Sequence, residues 1–200
     1  HNPDVFVFRR DLEKAKAELA QSKYANELDK YPVEVHWCTE VPHEEQFALL
    51  FQANMAEIGI KVNIVSTPWM SMVEEMGKLE TSPHIATIYV SADFPEAGSL
   101  LDLRYGSAAA PTWSQNEWLL DAKFDQMMAD ALATVNKEER FGKYKEIQSY
   151  IVDLCPSLFL YDQVEKHAYQ TYVDWPAAKG ELIPVMGYAL YAPQIQIMPH

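Results

Sequence analysis

Residues 33–65 read as strand, helix and strand in immediate succession, and this order restricts the fold more than any other feature of the chain. Val33, Val35 and Trp37 alternate with Glu34 and His36, the period-two pattern of a half-buried strand. A helix follows from Pro42 through Phe47, Leu50, Phe51, Asn54, Met55 and Ile58. Pro42 suits a first helical turn, and Gly59 stands where a left-handed cap belongs. Ile60, Val62 and Ile64 then alternate with Lys61 and Asn63. Two such strands in one sheet, joined through a helix, run parallel with a right-handed crossover. The expected fold class is α/β.

The flanking segments fit that class. Asp11 is a plausible N-cap for a helix carrying Leu12, Ala15 and Leu19 on one side. Pro68–Leu79 has Trp69, Met72, Val73 and Met76 at helical spacing, and Ile85–Val90 reads as a short buried strand. Ser91–Trp118 is the least regular stretch, with Pro95, Gly98, Gly106 and Pro111, and loops of that length are usually functional or mobile. Phe124, Met127, Met128, Ala131 and Leu132 make a core-facing helical stripe. Asn136 and Glu139 form a capping arrangement for a second helix through Phe141, Tyr144, Ile147, Ile151 and Leu154, which Pro156 ends. Leu158–Tyr161 and Ala168–Val173 read as short strands, and the tail from Trp175 to His200 shows little periodicity.

Charge and composition narrow the function. The 200 residues hold 29 Asp and Glu against 16 Lys and Arg, a formal charge of −13. Such a balance argues against nucleic acid, whose binding rests on neutralising phosphates, and against anionic lipid surfaces. No stretch approaches the roughly 18 apolar residues of a spanning helix. The chain opens on His1 without a signal-peptide layout, which we read as the interior of a longer protein. Cys38 and Cys155 are too few and too far apart for a disulfide scaffold or a zinc knuckle. One bridge or two buried thiols are the open alternatives for them.

Catalytic and cofactor motifs are not found. There is no phosphate-binding glycine loop, no GxSxG elbow and no SxxK. His36 and Cys38, with His43, Glu44 and Glu45 close by, lack metal-ligand spacing; Glu44 and Glu45 suit a helix N-terminus instead. Cys155 and His167 are compatible with a nucleophilic pair in space, but Cys155 beside Pro156 has the setting of a structural thiol. Carboxylates are so abundant that a catalytic pair carries no information. We expect no enzyme, no metal and no cofactor. The alternative function is a hydrolase using Cys155 or a carboxylate pair.

A family resemblance rests on residues in order: DLEKAKAELA from Asp11 to Ala20, EEQFALLFQANMAEIGIKVNI from Glu44 to Ile64, then Trp69, Asp93 and Leu100–Tyr105. It continues with FDQMMADALAT from Phe124 and ERFGKYKEIQSYIVDLCPSLFLY from Glu139 to Tyr161. Together these resemble the C-terminal part of the family 5 extracellular solute-binding proteins, the oligopeptide- and dipeptide-binding class of bacterial ABC importers. The resemblance implies one lobe of a two-lobed periplasmic-binding-protein-like fold of class II type, a mixed sheet flanked by helices. It implies residues 1–165 as an α/β C-terminal lobe and residues 166–200 as strands and a tail returning toward a missing N-terminal lobe. It further implies a periplasmic or extracytoplasmic protein that captures a peptide or other small solute and delivers it to an ABC permease at the membrane.

In peptide-binding relatives, an Asp after a strand pairs with the peptide's α-ammonium, and Asp93 in YVSADFPEAGSLL holds the matching place. A buried ammonium needs such a carboxylate, although Asp also serves routinely in loops and caps. Peptide binders often carry Trp three residues earlier, where this chain has Val90, and the family includes binders of sugars and metal chelates. Trp69, Tyr89, Trp113 and Trp118 offer stacking faces for a solute, or else core packing; Trp113 is the least periodic and the best ligand candidate. Arg104 is a candidate partner for a solute carboxylate, with an ion pair to Asp102 as its other reading.

Overall fold

In the computed structural model, which describes residues 2–162, 166–181 and 191–199, the strand–helix–strand segment folds as its pattern demands. Strand β1 (Val33–Cys38) lies between β2 (Val62–Thr67) and β3 (Ile85–Ala86) in a parallel sheet of order β2-β1-β3. The β1–β2 register runs from Val33 opposite Val62 to Cys38 opposite Thr67. Alternation along β1 sends Val33, Val35 and Trp37 to one face, where they pack with Val62, Ile64 and Ile85 beneath helix α2 (Glu44–Ala56) through Ala48, Phe51 and Met55. The opposite face carries Cys38, packed with Met72 and Met76 of α3 (Trp69–Met76). Helices thus cover both faces, the usual arrangement for a parallel sheet.

Local signals explain the ends of these elements. Asp11 caps α1 (Leu12–Gln21) by accepting the Lys14 N–H at 2.9 Å. After α2 the chain turns at Gly59, φ +82°, and Ile60 N–H donates back to Met55 O at 3.0 Å, a helix-stop pattern favouring glycine. Leu50, expected on the inner stripe of α2, is exposed, and Asn54 is half-buried; the inner stripe is Glu44, Ala48, Phe51 and Met55.

The chain forms two compact units. The sheet unit is Phe6–Tyr89 with Ala108–Trp118. The helical unit comprises the described residues of His1–Val5, Val90–Ser107 and Leu119–His200. Residue 165, the expected boundary between lobe and tail, lies outside the described residues.

The helical unit is built on α4 (Ala97–Tyr105), α5 (Ala122–Leu132) and α6 (Lys137–Leu154). Its core joins Tyr105, Phe124, Met128, Ala131, Tyr144, Ile147 and Ile151. Asp121 and Asn136 cap α5 and α6 through the N–H groups of Phe124 (2.7 Å) and Glu139 (3.0 Å). Cys155, φ +52°, ends α6 in the left-handed region. A two-stranded antiparallel ribbon, β4 (Val173–Asp174) with β5 (Gln196–Ile197), completes the described part.

Four expectations are corrected. Helix α4 and a 3-10 turn at Ser107–Ala109 lie inside the stretch expected to be irregular; apolar residues all round α4 hide its period. Leu158–Tyr161 is not a strand, because no neighbour among the described residues pairs with it, and its side chains are exposed. Only Val173 of the segment Ala168–Val173 enters a ladder. The strand expected over Ile85–Val90 pairs only at Ile85 and Ala86, because beyond them the Glu44 carboxyl group takes the Cys38 N–H and the Thr87 hydroxyl. Cys38 and Cys155 are both free, the first buried and the second exposed.

Candidate functional site

In an open parallel sheet, ligands bind beyond the carboxyl ends of the strands, where the strand order reverses. Here β2 lies on one side of β1 and β3 on the other, so the reversal falls between β1 and β3. The segments that leave these ends are Thr39–His43 after β1, Pro68 and Trp69 after β2, and Thr87–Tyr89 after β3. They bring Trp69, Tyr89, His43, Glu40 and Glu44 to one edge of the sheet unit. None of these segments contains a Lys or Arg.

Two carboxylates organise the edge. Glu40 accepts the backbone N–H of Trp69 at 3.0 Å and 3.2 Å through its two oxygens, filling the start of α3. It also accepts from the Cys38 thiol at 3.1 Å and the Thr39 hydroxyl at 3.0 Å. These donors, the Cys38 thiol foremost, hold the Glu40 carboxyl below the usual carboxylate range. Burial, reinforced by the thiol's bond to Glu40, pushes the Cys38 thiol up.

Glu44 is only 2% exposed. Its Oε2 accepts the Cys38 backbone N–H at 2.9 Å and the Thr87 hydroxyl at 2.8 Å. Strand alternation turns that Cys38 N–H toward β3, so the Glu44 side chain takes a donor that a longer β3 would have used. Thr87 N–H still donates to His36 O at 3.0 Å, and there the β1–β3 ladder stops. Burial outweighs these two bonds and raises the Glu44 carboxyl above its ordinary value.

Aromatic groups form the accessible part of the edge. Trp69 and Trp113 meet edge to face, centroids 5.3 Å apart at 73°, and both pack on the Cys38–Met72–Met76 cluster. The Tyr89 hydroxyl lies 2.7 Å from His43 Nε2, with the rings 5.4 Å apart. Trp118 is held by its indole N–H, which donates to Ser82 Oγ at 3.1 Å. This assembly offers flat apolar faces with a few polar groups between them, the composition of a small-molecule contact surface.

Of the expected contact residues, Trp69 and Trp113 touch, and Tyr89 stands at the same edge. Asp93 and Arg104 belong to the helical unit. Asp93 is exposed in the connection before α4, and its N–H donates to Ser99 Oγ at 3.0 Å. Arg104, at the end of α4, is 8% exposed and so is placed inside the unit. Cys155 serves as the cap of α6, its N–H bonded to Ile151 O at 3.0 Å, and His167 packs against the Trp175 ring at 4.9 Å. Among the described residues no three His, Cys, Asp or Glu are grouped to hold a metal ion.

The sequence pattern passes over Glu40 and places Glu44 only at a helix N-terminus. A signal for Glu44 was present: it lies three, four, seven and eleven positions before Phe47, Ala48, Phe51 and Met55, on the inward stripe of α2. Glu40 had only its place after a strand end.

A family model described as "Bacterial extracellular solute-binding proteins, family 5 Middle" matches residues 1–112. The chain is 28% identical over 158 residues to heme-binding protein A of Haemophilus influenzae, covering 78% of this chain and 28% of that protein. Two solved structures share the fold at 23% identity and a TM-score of 0.68, each over 78% of this chain and 30% of theirs. They are DppA of Helicobacter pylori in complex with the peptide STSA and HbpA2 of Haemophilus parasuis. The chain thus spans less than a third of the length of these relatives. No helix among the described residues is long and apolar enough to cross a membrane. With more than half of its length matched by this family model, the chain belongs to family 5 of the bacterial extracellular solute-binding proteins.

Proposed function

We propose that this chain is part of the substrate-binding component of an ABC importer, which captures a peptide or another small solute in the periplasm or outside the cell and passes it to a membrane permease. The observation that carries the reading is the aromatic edge of the sheet unit, lying where parallel sheets bind ligands and built on a family 5 chain. In the sheet unit, Trp113, Trp69 and Tyr89 are candidates for stacking area; in the helical unit, Asp93 is the candidate carboxylate for a solute's ammonium group. Arg104, in the same unit as Asp93, is the candidate partner for a solute carboxylate, with an ion pair to an acidic neighbour such as Asp102 as its other reading. A micromolar receptor needs about −8 kcal/mol, within the range of a few charge-assisted bonds and buried aromatic contacts.

In this reading the 200 residues supply a C-terminal lobe, with residues 166–200 directed to an N-terminal lobe in the rest of the protein. Solute binds the two-lobed receptor and favours its closed form through differential affinity. The test is a fluorescence titration of the full-length protein with short peptides and small non-peptide solutes, beside the 200-residue chain alone. Saturable micromolar binding by the full protein and much weaker binding by the chain are expected. Equal micromolar binding by the chain alone would overturn the two-lobe division. Peptide hydrolysis that disappears in Cys155→Ala would instead favour an enzyme.

A further inference from the structure

The Glu44 side chain does what a third rung of the β1–β3 ladder would have done. One oxygen receives a main-chain donor from the last residue of β1 and a hydroxyl donor from the first residue beyond β3. Both strands point their outgoing segments at the solute edge: two residues past Cys38 is Glu40, and two residues past Thr87 is Tyr89. Glu40 in turn holds the start of α3 at Trp69, against which Trp113 packs. Tyr89 and, through Glu40, Trp69 are therefore placed by strand ends that a single buried carboxyl group ties together.

We propose that Glu44 is a positioning residue whose carboxyl group pins the carboxyl ends of β1 and β3 together and makes the solute-binding edge responsive to protonation. The inference rests on the proposed function only for the word solute; the clasp itself is a property of the sheet unit. A neutral carboxyl keeps both bonds, because its carbonyl oxygen accepts from Cys38 N–H and Thr87 O–H alike. An ionised one must carry its charge in a site nearly closed to water, and separating the strand ends is the route by which water reaches it. The titratable groups around it are His43 on its own element, Cys38 and Glu40 at the end of β1, and Tyr89 beyond β3. The clasped form holds the proton more tightly than an opened, hydrated one. Raising the pH above the ordinary carboxylate value therefore favours opening, by at most about tenfold per pH unit for one linked proton.

The test is amide hydrogen exchange at Cys38, with near-UV circular dichroism of the tryptophans, on the wild-type chain, Glu44→Gln and Glu44→Ala from pH 4.5 to 8. Glutamine keeps the accepting oxygen and cannot ionise. The expected result is wild-type protection at Cys38 that falls with pH beyond the intrinsic exchange rate, protection in Glu44→Gln that stays flat, and low protection in Glu44→Ala at every pH. A flat wild-type profile matching Glu44→Gln would overturn the proposal, as would full protection in Glu44→Ala. Should Glu44→Ala not fold, the comparison of wild type with Glu44→Gln still decides. No solute enters these measurements, so a protein that binds no solute would count against the proposed function and leave the clasp standing.

Discussion

Gly98 has the loop-like look of a punctuation residue, yet its role is steric. It sits in the first turn of α4, and a Cβ there would collide with the Tyr144 hydroxyl and lie 3.1 Å from Leu132 Cδ2. Gly98→Ala should destabilise the helical unit by about 1–3 kcal/mol in urea unfolding, and Tyr144→Phe in the same chain should recover part of that loss. Next to it, Glu96 accepts from Arg140 Nε at 2.8 Å, and this guanidinium holds the Glu96 carboxyl below its usual range. The folded value being depressed, the pair stabilises above the ordinary carboxylate value of 4.5, and the benefit disappears as acid protonates Glu96. Glu96→Gln should therefore flatten the acid side of the stability profile of this unit while changing its slope little near pH 8. Neither contact is legible from the sequence, since Gly98 with Tyr144 and Glu96 with Arg140 each join residues more than 40 positions apart and nothing in α4 announces its inner face.

Elements with a strong period were legible and those without one were not. β1, β2, α5 and α6 carry unbroken apolar spacing, and the caps at Asp11 and Asn136 lie where their side chains predict. Asn136→Ala should cost about 1 kcal/mol of helical-unit stability by thermal or urea unfolding, the usual loss for an N-cap. Shorter elements depend on partners distant in sequence: β3 stops after two residues because Glu44 takes over its next donor, and Leu158–Tyr161 has strand-like residues but no described ladder. Helix α3 depends on Glu40 for its first turn, a contact across 29 residues. Glu40→Ala should loosen Trp69 against Trp113 and reduce the near-UV dichroism of the pair, leaving the far-UV spectrum close to wild type. An unchanged near-UV spectrum would show that the aromatic edge stands without its carboxylate brace.

At the scale of the whole molecule, a formal charge of −13 makes contact with phosphate-rich surfaces electrostatically unfavourable. The parallel sheet was legible because its strand–helix–strand unit admits one handedness and one pairing sense. Of the candidate site, the aromatic residues were legible by type, whereas their grouping was not: Trp69 and Trp113 lie 44 positions apart and meet only because β2 and the 108–118 segment share a unit. On the proposed function, this edge holds a solute in the full-length protein. Native mass spectrometry of the full-length protein, purified as wild type and as Trp113→Ala, tests it directly. The expected result is a small molecule retained by the wild type and depleted up to about tenfold in the variant, the scale of one lost aromatic contact. An equal load of the same molecule in both proteins would contradict it.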